Sequence, residues 1–143
     1  MKTFMSRAAL AGLLMGASML ATAATPAPKG AEAFIVSPED GATIKQDAVI
    51  KFGVKDISLA PAGDSTAHSG HHHLLIDTAP IAAGQVIPAD AKHVHFGKAQ
   101  TEVKVSDLKL TPGKHTLQLE LGDMGHMAFE PPIVSKKITV NVE

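Results

Sequence analysis

Imidazole nitrogens are concentrated in three short stretches of this chain. His71, His72 and His73 fall in SGHHHLLID, His93 and His95 in KHVHFG, and His126 between Met124 and Met127 in GDMGHMAF. Imidazole is the commonest transition-metal ligand, and the only side chain whose ordinary pKa lies near neutrality. Two His-x-His units therefore point to a metal site or to a surface that responds to protons. Residues i and i+2 of a strand share a face about 6.5–7 Å apart, so both imidazoles of one unit can turn toward a single ion. His71, His73, His93 and His95 form the first candidate ligand set, with Asp77 or Asp64 as a nearby carboxylate. Nitrogen-rich sites suit Cu(II), Zn(II) or Ni(II), and the affinity order favours copper. Met124, His126 and Met127 form a second set, in which thioether sulfur favours Cu(I). Each set also has a plainer account: histidines solvated on a two-sided sheet, and methionines filling gaps in a core.

Strand phase decides which of these side chains can meet. Leu74 and Ile76 read as the apolar pair of the first unit, which puts His72 on the core side. His71, His73, Leu75 and Asp77 then share the opposite face, although a slip of one residue reverses every assignment. In the second unit Val94 and Phe96 are the apolar pair, leaving His93 and His95 together on the other face. His115 is in register with Leu117, Leu119 and Leu121, so it is expected at the core or its rim. His68 falls on a loop with no assigned role.

The elements that would carry these residues are short strands separated by turn chemistry. Strands are expected at Ala33–Val36, Ala48–Val54, His71–Asp77, Thr101–Val105, His115–Leu121 and Ile133–Val142. Ser37-Pro38-Glu39-Asp40-Gly41, Pro61-Ala62-Gly63-Asp64-Ser65, Thr78-Ala79-Pro80 and Pro112-Gly113 punctuate them. About seven such strands and no amphipathic helix describe an all-β, antiparallel β-sandwich, with a small β-barrel as the alternative. Ser106-Asp107-Leu108-Lys109-Leu110, followed by PGKHTL and a closing strand, resembles bacterial immunoglobulin-like modules. That likeness implies that Gly122–Pro132 is a loop at one end of the sandwich.

Composition narrows the classes further. Lys and Arg number 13 against 14 Asp and Glu, for a net charge of −1, with no basic stripe to hold nucleic acid. The chain has no cysteine, which excludes disulfides, thiolate metal sites and a cysteine nucleophile. Residues 1–23 read as a signal peptide: Lys2 and Arg7, an apolar run from Ala8 to Leu20, then Ala21-Thr22-Ala23 as a small-x-small cleavage site. The run is too short to span a bilayer comfortably, so no stable membrane insertion is expected after cleavage. Residues 24–32 form a linker and 33–143 one domain, released into the periplasm.

GHHHLLID, HVHFGKAQTEV and LTPGKHTLQLELGDMGH with PPIVSKKITV look like a family of small exported bacterial proteins. Their C-terminal domain is catalogued as one of unknown function. The likeness covers roughly residues 45 to 142, through His72, His73, Asp77, His93, His95, Phe96, Gly97, Gln100, Thr101, Glu102, His115, Asp123 and His126. It implies export, a single β domain and a shared ligand site. HVHFG alone is similar to the His-Val-His strand of copper-zinc superoxide dismutases, which also use an immunoglobulin-like sandwich but further need a disulfide.

The expected function is that of a periplasmic metal-binding module, for copper first and zinc or nickel otherwise, acting as carrier, buffer or sensor. The alternatives are a metal-free envelope module that binds protein or glycan, and a copper redox enzyme. No Ser-His-Asp set or carboxylate pair is specific enough for a hydrolase.

Overall fold

The computed structural model describes residues 23–143, so the expected signal peptide lies almost wholly outside the described residues. Nine strands follow in order: β1 (Glu32–Ser37), β2 (Thr43–Ile44), β3 (Val49–Lys55), β4 (Ser58–Leu59), β5 (Ser69–Ile76), β6 (His93–His95), β7 (Glu102–Lys104), β8 (Gly113–Gly122) and β9 (Ile138–Val142). One 3-10 turn, Val105–Leu108, is the only helical segment among the described residues, and none is long and apolar enough to cross a membrane. The strands form two open sheets, one ordered β1-β3-β7 and the other β2-β9-β8-β5-β4, with β6 also on β5. This is the expected β-sandwich, and no barrel closes among the described residues.

Alternation dictates how the two sheets meet. Ile50 and Phe52 of β3 are buried while Lys51 and Lys55 are exposed, and β9 buries Ile138, Val140 and Val142. On β8, Leu117, Leu119 and Leu121 are fully buried and pair with Ile76, Leu74 and His72 of β5. These rows face β3, where the His72 ring stands edge-on to Phe52 with centroids 4.9 Å apart. His72 therefore lies in the core, where its strand phase puts it, and neither ring nitrogen has a hydrogen-bond partner.

Two elements differ from expectation. The strand expected at Thr101–Val105 shortens to three residues, because Val105 drops into the core as the 3-10 turn begins. The last strand starts at Ile138 rather than Ile133. Pro131 and Pro132 have no N–H to give a ladder, and residues 133–135 instead pair with the far half of β8. There Leu121 N donates to Ile133 O at 3.0 Å, and Leu119 N donates to Ser135 Oγ at 2.8 Å. Most pairings are antiparallel, but β2–β9 and β4–β5 are short parallel pairs.

The second face of the β5–β6–β8 region is not left to solvent. All eight residues of β5 are buried, including His71, His73 and Leu75 on the side away from β3. Two connections cover them: the one between β5 and β6, and the one between β8 and β9. They join each other through Ile87 N to His126 O at 2.8 Å and Ala128 N to Gln85 O at 2.9 Å.

Candidate metal centre

Register places three imidazoles on that covered face. His73 pairs with His95 of β6 on one side and with Glu120 of β8 on the other, and His71 lies opposite Gly122. His71 and His73 are i and i+2 on one strand, so their rings stack along the face with centroids 4.8 Å apart. The His95 ring reaches both, at 4.9 Å from His71 and 5.1 Å from His73.

The fourth imidazole comes from a turn. β8 ends at Gly122, and the chain doubles back through Asp123–Met127, with Asp123 N donating to Met127 O and His126 N to Asp123 O, both at 2.9 Å. His126 sits at φ 64°, a left-handed conformation that costs a non-glycine residue about 1–2 kcal/mol. The result is that its ring meets the others, 4.6 Å from His95 and 5.0 Å from His71. One nitrogen from each of His71, His73, His95 and His126 lies within 4.8 Å of the other three.

Burial sets the protonation of this group. His73 is pushed down to about 3, first by burial and then by His71, His95 and His126, against the nearby Glu120 backbone. His71 is pushed down to about 4 by burial, then by His95 and His126, with Asp123 opposing. His95 is lowered by burial and by His126. At neutral pH these rings are uncharged, which is the ligating form.

A neutral imidazole has one donor and one acceptor, and the cluster cannot satisfy them internally. His71 Nε2 and His126 Nδ1 are 3.1 Å apart, but the buried His71 Nδ1, His73 Nδ1 and His95 Nε2 have no hydrogen-bond partner. Each orphaned buried polar atom costs about 1–3 kcal/mol. An ion removes part of that cost by accepting lone pairs. Four nitrogens around Zn(II) or Cu(II) at about 2.0–2.1 Å are separated by roughly 3–4 Å. The group fits a metal after small inward movements of the rings.

Two glycines leave room for the rings. A Cβ on Gly122 would stand 2.7 Å from His73 Cε1, and one on Gly97 would stand 2.8 Å from His95 Nε2. Neither glycine has a positive φ, so alanine's own backbone conformation is allowed; the shortest conflicts are with the imidazoles, joined at Gly122 by a tight 3.3 Å approach to His126 Cα. Gly97→Ala and Gly122→Ala are expected to fold and to weaken Cu(II) or Zn(II) uptake by tenfold or more, on the order of the loss when a ligand's support is removed. Chelator competition measures it; unchanged affinity in both variants would contradict the steric account.

The remaining residues singled out from sequence lie elsewhere. His93 shares a face with His95 but is one row along, opposite Leu75, and its Nδ1–H donates to Asp90 Oδ1 at 2.8 Å. It is not in the four-imidazole group; His126, grouped in sequence with methionines, is. Met124 is half exposed and lines a surface pocket with His68 and Phe129, and Met127 is partly buried with its backbone paired to Val86. Asp77 is engaged with His115 Nδ1 at 2.7 Å and with Thr116 N, and Asp64 with Thr66. His115 thus sits at the rim of the sandwich with both ring nitrogens bonded, Nε2 to Thr111 O at 2.7 Å.

Glu120 is the residue that strand reading missed. It is fully buried beside His73, its Oε2 accepts from Ile81 N at 2.8 Å, and burial raises its pKa. Alternation on β8 showed it on the side away from the leucines, where a glutamate is ordinarily solvated.

Fold and site together define an all-β sandwich with a cluster of four histidines laid under loops on one sheet face, a group that could hold a metal ion. The chain belongs to the family catalogued as a domain of unknown function, DUF4399, whose model matches residues 50–143. That stretch contains all four clustered histidines. No curated protein and no solved structure matches the chain.

Proposed function

We propose that this protein binds one transition-metal ion, copper first among the candidates, through His71, His73, His95 and His126, and that it acts as a periplasmic carrier, buffer or sensor. The carrying observation is four imidazoles with nitrogens mutually within 4.8 Å, several of them buried without a partner. A donor set of nitrogen alone, without thiolate or carboxylate, suits Cu(II), Zn(II) and Ni(II), in which order copper binds tightest. Four protein ligands close a four-coordinate shell, whereas catalytic sites keep a position open. That favours holding an ion over chemistry at it. Export rests on the basic, apolar and small-x-small pattern of the first 23 residues.

Protein purified without a nickel column and titrated with Cu(II) is expected to take up one ion per chain. At a hundred times the dissociation constant the ion should stabilise the fold by about 2.7 kcal/mol. Uptake far below one ion with no thermal shift ends this reading, and a parallel Zn(II) titration decides the preference between the two.

A further inference from the structure

His126 is the one clustered imidazole not carried by a strand, and its position is built by a neighbour. Asp123 is only 8% exposed, and its carboxylate is fully engaged. Oδ1 accepts from Gly125 N and Met127 N, both at 2.9 Å, which closes the turn around His126. Oδ2 accepts from Thr25 Oγ1 at 2.6 Å, across 98 residues of sequence. Thr25 is itself fixed, because Glu130 N donates to Thr25 O at 2.9 Å and Ala27 N donates to Glu130 O at 2.8 Å. A Cβ on Gly84 would stand 3.2 Å from Ala24 Cβ, so the segment before β1 lies against both covering connections.

We infer that Asp123 and Thr25 are positioning residues for the His126 imidazole, and that the segment Ala24–Ala27 is a strap whose docking sets how firmly a bound metal is retained. The inference rests on the metal-binding reading. The physical reasoning is local. A left-handed histidine in a five-residue turn keeps its ring aimed inward only while the turn is held, and here the holding group is one buried carboxylate anchored on its far side by the strap. His71, His73 and His95 are fixed by sheet register and need no such support. Retention is therefore controlled at His126. Cleavage after Ala23, at the end of the expected signal peptide, would leave this strap as the first residues of the mature chain, free to dock.

Chains beginning at Ala24 and loaded with Cu(II) test this, using the rate of ion loss to a chelator and the nitrogen count from electron paramagnetic resonance. Asp123→Ala and Thr25→Val should release copper about 10- to 100-fold and several-fold faster, the range for removing support of a ligand. Both should shift from four-nitrogen toward three-nitrogen spectra. Asp123→Asn keeps an acceptor for Gly125 N and Met127 N and an amide that can donate to Thr25 Oγ1, so it should retain four nitrogens. His126→Ala should match Asp123→Ala, and the double variant should lose nothing more. Faster loss on His126→Ala, with wild-type spectra and rates for both Asp123→Ala and Thr25→Val, would overturn the inference and leave the metal site standing. No copper uptake by the wild-type chain would overturn both. If Asp123→Ala fails to fold, Thr25→Val, which removes a single hydroxyl, decides alone.

Discussion

His73→Leu is expected to abolish stoichiometric copper uptake while leaving the metal-free protein as stable as wild type or more so. His73 lies opposite His95 across one strand pair and two residues from His71, with its ring 4.8 Å from the His71 ring. Removing even an outer-shell partner of a metal ligand typically costs 10–100-fold in affinity, so loss of the ligand itself should cost more than about 100-fold. The stability expectation has the opposite sign to that for an ordinary buried residue. His73 Nδ1 is buried with no partner, and leucine of similar volume removes that orphan, worth about 1–3 kcal/mol. Calorimetry of metal binding and denaturant unfolding of the metal-free chain check the two halves. A large loss of metal-free stability would mean that His73 is there to hold the fold.

The second large effect is on pH. His71 and His72 are held down to about 4 and His73 to about 3, in each case chiefly by burial. Unfolded, they take up protons near pH 6.5. Below that pH the unfolded chain binds more protons than the folded one, so stability falls as pH falls, from about 6.5 down to about 4. Each such histidine contributes a slope of at most about 1.4 kcal/mol per pH unit. His115 works the other way. Its hydrogen bond to Asp77 raises its pKa, so its contribution is complete below pH 6.5 and is lost as pH rises through the raised value. One rim histidine cannot balance three interior ones. The melting temperature of the metal-free protein should drop steeply between pH 7 and pH 5, and His72→Phe should make the drop shallower. A flat profile would refute this.

Much of the scaffold was legible in sequence because it rests on period-two burial. Leu117, Leu119 and Leu121 alternate with polar residues, and Leu74 and Ile76 fixed the phase that sends His72 inward and His71 and His73 the other way. His95 followed from Val94 and Phe96 by the same rule. What could not be read was anything set by contact between distant segments. His126 joins His71 across 55 residues, through a turn whose inward aim depends on Asp123 and Thr25. His93 parts from His95 because its own row faces Leu75 and because Asp90, three residues back, takes its Nδ1–H. Glu120 could not be singled out, since alternation distinguishes two faces of a sheet but cannot show that loops roof the second one.

That roof has a consequence for how the chain is tied together. The protein has no cysteine and so no disulfide between distant segments. His71 and His73, His95 and His126 lie on three stretches separated by about 20 and 30 residues, spacings at which a cross-link restricts the denatured chain substantially, about 3 kcal/mol for a 15-residue loop. A single ion held by all four would close two such loops at once. Where other proteins are stapled by oxidised sulfur, a chain so tied would have a staple that can be taken out, and losing the ion would loosen the chain that held it.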